Sequence, residues 1–375
     1  MSEQTLNLKE RIDSVDALRG LAMFIITITQ FQPILRTFIH LFGENFINIA
    51  SVQLTPNNRF PTIYSLGQPL FVFIVGLVLP FSIKNRLSRT GKKRTYLHII
   101  KRALILFLLG LIAGGELLNM PEYNRTFANI PVYNNVLEYI SISYLVCAVL
   151  VLNTTTKVQY IVTGGVMLLI WAIFLFIPVP GWQGGRYAKE MNIAIYIENL
   201  VLGQHGSHFG QWTGVFNTLG HILDMLLGVS MGRIIFSSRE KMNKVKLLFI
   251  CGTLMILAGY IWSIWFPIMK SHYTSSYILI HGGIATLLLA LFYLFIDVWG
   301  YKKWAFFFIV FGVNSIAIYM MAHLFDFKLL GNVLIGGLSS LFSPDAEAFI
   351  KSITAMAIMW LITYYMYRKK TFIKI

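Results

Sequence analysis

Apolar residues gather in ten long runs along this chain, near residues 17–38, 64–83, 96–115, 135–152, 157–178, 214–235, 246–267, 275–297, 304–324 and 347–366. Each is close to the 17–25 residues that a helix needs to cross a bilayer, so the pattern predicts an all-α polytopic membrane protein of about ten transmembrane helices. The stretch LLGNVLIGGLSSLF at 329–342 is apolar but interrupted by glycine and serine. It can be an eleventh span, although a re-entrant or interfacial element suits its breakers better. No period of 20–50 residues recurs, and no segment reads as a soluble domain, so residues 1–375 read as a single transmembrane domain.

Composition agrees with the pattern. Of 375 residues, 56% are apolar and only 13% charged, against about 25% charged in soluble domains. The net charge of +15 would suggest nucleic acid on a soluble surface, but here it sits in short blocks between apolar runs, which excludes that class. KNRLSRTGKKRTYLHIIKR after the second run holds eight basic residues and no acid, and RIIFSSREKMNKVK after the sixth holds five against one acid. Placing these blocks and the tail YRKKTFIKI inside predicts a multi-pass protein of the inner (plasma) membrane with both termini cytoplasmic. The opening MSEQTLNLKERIDS mixes acids and bases, and no cleavable signal peptide is expected there. Cys147 and Cys251 both lie within apolar runs and show neither a disulfide framework nor a metal spacing, so no metal site is expected. The polar, glycine-rich stretch 179–213 is predicted to be a long outer loop that binds rather than merely connects.

Ionisable residues inside membrane spans are costly and point to function or to polar contacts between helices. His221 and Asp224 lie three apart in WTGVFNTLGHILDMLLGVSMG and share a helix face. They read either as a carboxylate-oriented imidazole acting as base or proton relay, or as an interhelical polar clamp. His205 and His208 in GQHGSHFG are set where the chain can fold over a bundle mouth, or they are solvated. In FPIMKSHYTSSYILIHGG, Lys270 is a cation on the side where basic residues are scarce, which suits an anionic ligand or a snorkelling side chain. Thr274 to Ser276 can cap the following helix. Asn314 in VFGVNSIAIYMMAHLFD reads as buried polar glue or as part of a site. Gln68 precedes Pro69, which frees a backbone carbonyl, and Glu138 is a carboxylate in the outer half of its span that needs a donor. Asp16 and Arg19 stand three apart at the mouth of the first span and can pair. No phosphate loop, HExxH or serine elbow is present, so the residues alone fit a transporter and a membrane transferase equally.

Five segments in register carry a resemblance. RIDSVDALRGLAMFIITI resembles the opening Ser-[Val/Leu]-Asp-x-x-Arg-Gly signature of the heparan-alpha-glucosaminide N-acetyltransferase family and its bacterial relatives. QPLFVFIVGLVLPFSI, NIPVYNNVLEYISISYLVCAVL and AIYIENLVLGQHGSHFGQWTGVFNTLGHILDMLLGVSMG resemble later family regions. The closest match runs from FPIMKSHYTSSYILIHGG to FGVNSIAIYM. Family members move an acetyl group from acetyl-CoA, taken on the cytosolic side, to an amino sugar on the far side.

The resemblance implies a membrane acyltransferase with acetyl-CoA or another acyl-CoA as co-substrate, no bound cofactor, and an amino sugar or cell-envelope glycan as acceptor, surrounded by membrane lipids. It matches Asp16, Arg19, Lys270, Thr274, Ser276 and Asn314 to family positions; with Gln68 and Glu138 these are the candidates for binding substrate and CoA. The family histidine stands in a His-x-x-Trp-x-Gly segment before the second span, where this chain reads SVQLTPNNRFPTIYSLGQP with neither residue. His208, His205 and His221 with Asp224 are therefore the candidates for catalysis. A transporter or flippase, or a scaffold without activity, is the alternative, and an oligomer is left open.

Overall fold

A computed structural model describes residues 12–30, 62–114, 135–188, 191–203 and 214–372, and these form helices and turns with no strand among them. The helices are α1 (Asp13–Gln30), α2 (Ile63–Ala113), α3 (Val136–Asn153), α4 (Thr156–Phe176), α5 (Ile193–Leu202), α6 (Gly214–Ile235), α7 (Lys241–Trp262), α8 (Ser275–Tyr293), α9 (Phe306–Val313), α10 (Ser315–Leu324), α11 (Phe327–Ser339) and α12 (Pro344–Arg368). A 3₁₀ turn at Lys270–His272 precedes α8, and a π turn at Leu294–Val298 follows it. The all-α membrane class expected from the apolar runs is what the chain forms.

Seven of these helices are long and apolar enough to cross a membrane, or eight if α9 and α10 count as one bent span. The expected count of about ten is not confirmed among the described residues, and the chain shows where spans merge or break. α2 holds two of the apolar runs in one helix of 51 residues, with a single non-helical residue at Gly91 (φ 75°, ψ 173°). The basic block expected as a loop is thus helical on both sides of Gly91. At 1.5 Å per residue α2 would be about 77 Å long, more than twice a hydrocarbon core, so it cannot be one span. The run expected at 304–324 is broken at Asn314, where α9 and α10 bend by 74°. α11 has 13 residues, about 20 Å, too short to cross alone. Part of the first run lies outside the described residues. The loop expected over 179–213 contains α5, whose apolar IAIYIENLVL follows an N-cap at Asn192.

The chain divides into two compact units. The first holds Val72–Ala290, and the second holds 11–71 with 291–374. Within the first unit, α3 and α4 are joined by two residues, and α6 and α7 by five, so each pair runs antiparallel. The Tyr96 hydroxyl donates to Asn153 Oδ1 at 2.7 Å and Arg233 donates to Gln159, which brings the Gly91 break and both short connections to one end. That end carries the dense basic blocks. The opposite end collects the starts of α3, α6 and α8, and Lys270 is a rare cation there.

Helices in lipid associate through close backbone contact at small residues. Gly76 of α2 lies against the Met225 carbonyl of α6, while Gly228 and Gly232 of α6 lie against the carbonyls of Phe73 and Leu77. A side chain at any of them would meet backbone. In the second unit α1 and α9 cross the same way, Gly20 against the Phe308 carbonyl and Gly312 against the Asp16 carbonyl. The Ser14 amide donates to Asp297 at 3.2 Å, and Lys302 pairs with Asp13 at 2.8 Å, which fixes the start of α1.

Candidate functional site

The polar residues of the first unit converge at its basic-poor end around α6. Residues four and seven apart share a helical stripe, so Asn217, His221 and Asp224 face one way. His221 is fully buried, and its Nδ1 meets the backbone carbonyl of Asn217, which can only accept. The proton of the neutral ring therefore sits on Nδ1, leaving the Nε2 lone pair toward the Tyr273 hydroxyl at 3.4 Å. The two rings lie 4.7 Å apart, and Tyr139 of α3 stands 5.5 Å away on the same imidazole. The expected contact of Asp224 with His221 is not among the described ones: Nδ1 of the ring meets the backbone of Asn217 and Nε2 faces the phenol of Tyr273, and a spacing of three permits a contact without requiring it.

Tyr273 reaches His221 through an uncommon backbone. It ends the 3₁₀ turn with φ 46° and ψ 56°, the left-handed region that costs a non-glycine residue about 1 kcal/mol. Gly220 lies against its ring and leaves the room that a side chain would fill. Burial raises the phenol well above its ordinary range, so the hydroxyl stays protonated as a donor. Tyr277 stacks edge-on 5.3 Å beyond it, and His281 follows at 4.2 Å from Tyr277.

Lys270 is 6% exposed, and desolvation lowers its ammonium to about 7. Its charge reaches both His221 and His281. From about pH 7 up to its ordinary 10.5, the unfolded chain holds a proton on Lys270 that the folded chain has released. Stability therefore rises with pH across that window, by up to about 1.4 kcal/mol per unit, and the contribution levels off below it. Lys270→Met should remove this slope in thermal unfolding followed from pH 7 to 10. Equal slopes in variant and parent would contradict it.

Asn192 locks the neighbouring imidazole. Its Oδ1 accepts from the amides of Ala194 and Ile195 at 3.0 and 3.2 Å, which leaves Nδ2 to donate to His272 Nε2 at 2.9 Å. His272 is thus neutral with its proton on Nδ1, and burial lowers it to about 4. Glu198 accepts from the amides of Gly214 and Val215 at 2.7 and 2.9 Å, a carboxylate on the start of α6. Thr274 and Ser276 do not cap α8 with their side chains. Thr274 Oγ1 donates to the Pro267 carbonyl at 2.9 Å and Ser276 Oγ to Phe266 at 2.7 Å, fastening the turn that carries Lys270. Glu138 is wholly buried in the first turn of α3, with Gly110 of α2 against its side chain.

The other candidates fall elsewhere. His205 and His208 lie outside the described residues, as do residues 51–61 of the segment where the family histidine would stand. Asp16 and Arg19 pair at 3.2 Å in the second unit, as their spacing predicts. Asn314, in the same unit, is 1% exposed at the α9–α10 bend, and neither amide atom has a hydrogen-bond partner among the described residues. Gln68 is half-buried near the start of α2. Tyr273, Tyr277, His281 and Asn217 escaped the reading of the sequence. Two signals were present: the i,i+4 pair Asn217 and His221, and the series 273, 277, 281 running from the turn into α8.

No family model matches the chain. Among curated proteins, heparan-alpha-glucosaminide N-acetyltransferase of Homo sapiens is 25% identical over 98% of this chain and 60% of its own length. That of Mus musculus is 24% identical over 97% of this chain and 60% of its length. The chain thus spans three-fifths of these relatives. The likeness carried by five motifs extends over nearly the whole of this chain, which is similar to heparan-alpha-glucosaminide N-acetyltransferase at about a quarter of its positions.

Proposed function

We propose that the chain is a membrane acyltransferase that moves an acetyl group from acetyl-CoA, or another acyl-CoA, to the amine of an amino sugar. The observation that carries this is the buried imidazole of His221, whose Nδ1 meets the Asn217 carbonyl and whose Nε2 faces the Tyr273 hydroxyl, with the charge of Lys270 in reach. In the reaction the amine nitrogen attacks the thioester carbonyl carbon, the C–N bond forms, and the C–S bond breaks to release CoA thiolate. The amine gives up one proton, which His221 Nε2 takes and passes toward the departing sulfur. As His221 Nε2 takes the amine proton, the Tyr273 hydroxyl is released to donate, with the Lys270 amine, to the carbonyl oxygen as it gains charge.

On this reading the basic end of the first unit faces the cytosol of a bacterium and the His221 end faces the cell envelope, whose glycans supply the acceptor. Asp16, Arg19, Gln68, Glu138, Thr274, Ser276 and Asn314 remain candidates for holding CoA or acceptor, with Arg19 suited to CoA phosphate. Purified protein given acetyl-CoA should release thiol faster with glucosamine than with glucose, and the product mass should rise by one acetyl group. Equal release with both sugars and no acetylated amine would defeat the proposal. One observation favours transport instead: the α9–α10 break with the buried Asn314 amide is the kind of interrupted span that binds transported solutes.

A further inference from the structure

Two groups on α6 have no task in the chemistry above. Asn217 and Asp224 are each 1% exposed. Neither amide atom of Asn217 and not the Oδ2 of Asp224 has a hydrogen-bond partner among the described residues. Buried polar atoms nearly always have a partner, so three orphaned atoms on one helix call for a partner beyond the described residues. They also share a position. Asn217 stands one turn before His221 and Asp224 about one turn after it, on the same stripe.

The chemistry of the orphans describes their ligand. Asp224 Oδ2 can accept from an N–H or O–H, while Asn217 offers one donor and one acceptor. A vicinal amine and hydroxyl on a sugar ring present the complementary alternation. We infer that Asn217 and Asp224 form the seat of the acceptor's polar head, holding an amino sugar by its amine and adjacent hydroxyl on either side of His221. The amine's identity rests on the transferase reading; the seat rests on the unpartnered atoms.

An unfilled seat has a signature in stability. Replacing a buried, unpartnered amide by an apolar group of similar size removes a penalty, whereas removing a partnered one adds it. In thermal unfolding of the full-length purified protein, glucosamine should raise the midpoint of the parent. Asn217→Leu should melt about 3 °C higher than the parent without ligand and gain nothing from glucosamine. Asp224→Asn keeps the shape but turns an acceptor toward a donor, and should weaken the glucosamine effect about tenfold in concentration.

A lower midpoint for Asn217→Leu without ligand, an undiminished glucosamine shift in both variants, or no shift in the parent overturns the seat. If glucosamine stabilises the parent and not the variants while no acetyl group moves, the seat stands and the transferase reading falls. If acetyl transfer proceeds unchanged in both variants, the seat falls and the transferase reading stands.

Discussion

Replacing His221 by alanine is expected to lower kcat for amine acetylation about a thousandfold, the loss typical of removing a positioned general base. The ring is buried, and the Asn217 carbonyl on Nδ1 leaves Nε2 as its only basic atom. Among its described neighbours, Tyr273 keeps its proton and His272 is engaged by Asn192. The loss should appear in kcat with little change in KM for acetyl-CoA, because the base acts on the acceptor proton. A parallel measurement of acetyl-CoA binding separates loss of chemistry from loss of fold. Full activity in His221→Ala would move the base elsewhere, and His205 or His208 would be the next to replace.

Gly228→Leu should cost about 3 kcal/mol of stability and about a hundredfold in rate. The glycine lies against the Phe73 carbonyl, between the matching contacts of Gly76 with Met225 and Gly232 with Leu77. No rotamer of leucine clears a backbone carbonyl, so α6 must move away from α2, and overpacking of this kind costs about 1–3 kcal/mol. α6 carries His221, and a shift of about 1 Å in a catalytic group is worth of order a hundredfold. Gly164→Leu in α4 is the control, since nothing lies within 4 Å of that position. Comparable losses in both variants would show that the effect is general to glycine in these helices rather than particular to the crossing.

The membrane class was legible because a bilayer imposes length and apolarity on every span, and both are written in the sequence. The interruptions were not. Gly91 bends a helix within a charged block that looks like a loop by composition, yet lysine and arginine are good helix formers and continue the helix on both sides. The break at Asn314 follows the apolar FFFIVFGV with no proline to announce it. His221 stood out because an ionisable group in a span is conspicuous. Its partners were missed because a tyrosine hydroxyl and a backbone carbonyl leave no mark in a hydropathy pattern. Asp224 was paired with His221 by spacing, but side chains three apart on a stripe share a face without having to touch. The pair Asp16 and Arg19, equally spaced, does touch at 3.2 Å.

The measurement that tests acyl transfer most directly places the two substrates on opposite sides of a membrane. Proteoliposomes containing the protein enclose glucosamine, and acetyl-CoA carrying ¹³C in its carbonyl is added outside. The transferase account predicts N-acetylglucosamine bearing the label inside the vesicles, formed by the parent and lost in His221→Ala. Glucosamine that escapes unacetylated through the parent, or a lumen without label after prolonged incubation in either orientation of the protein, would contradict it.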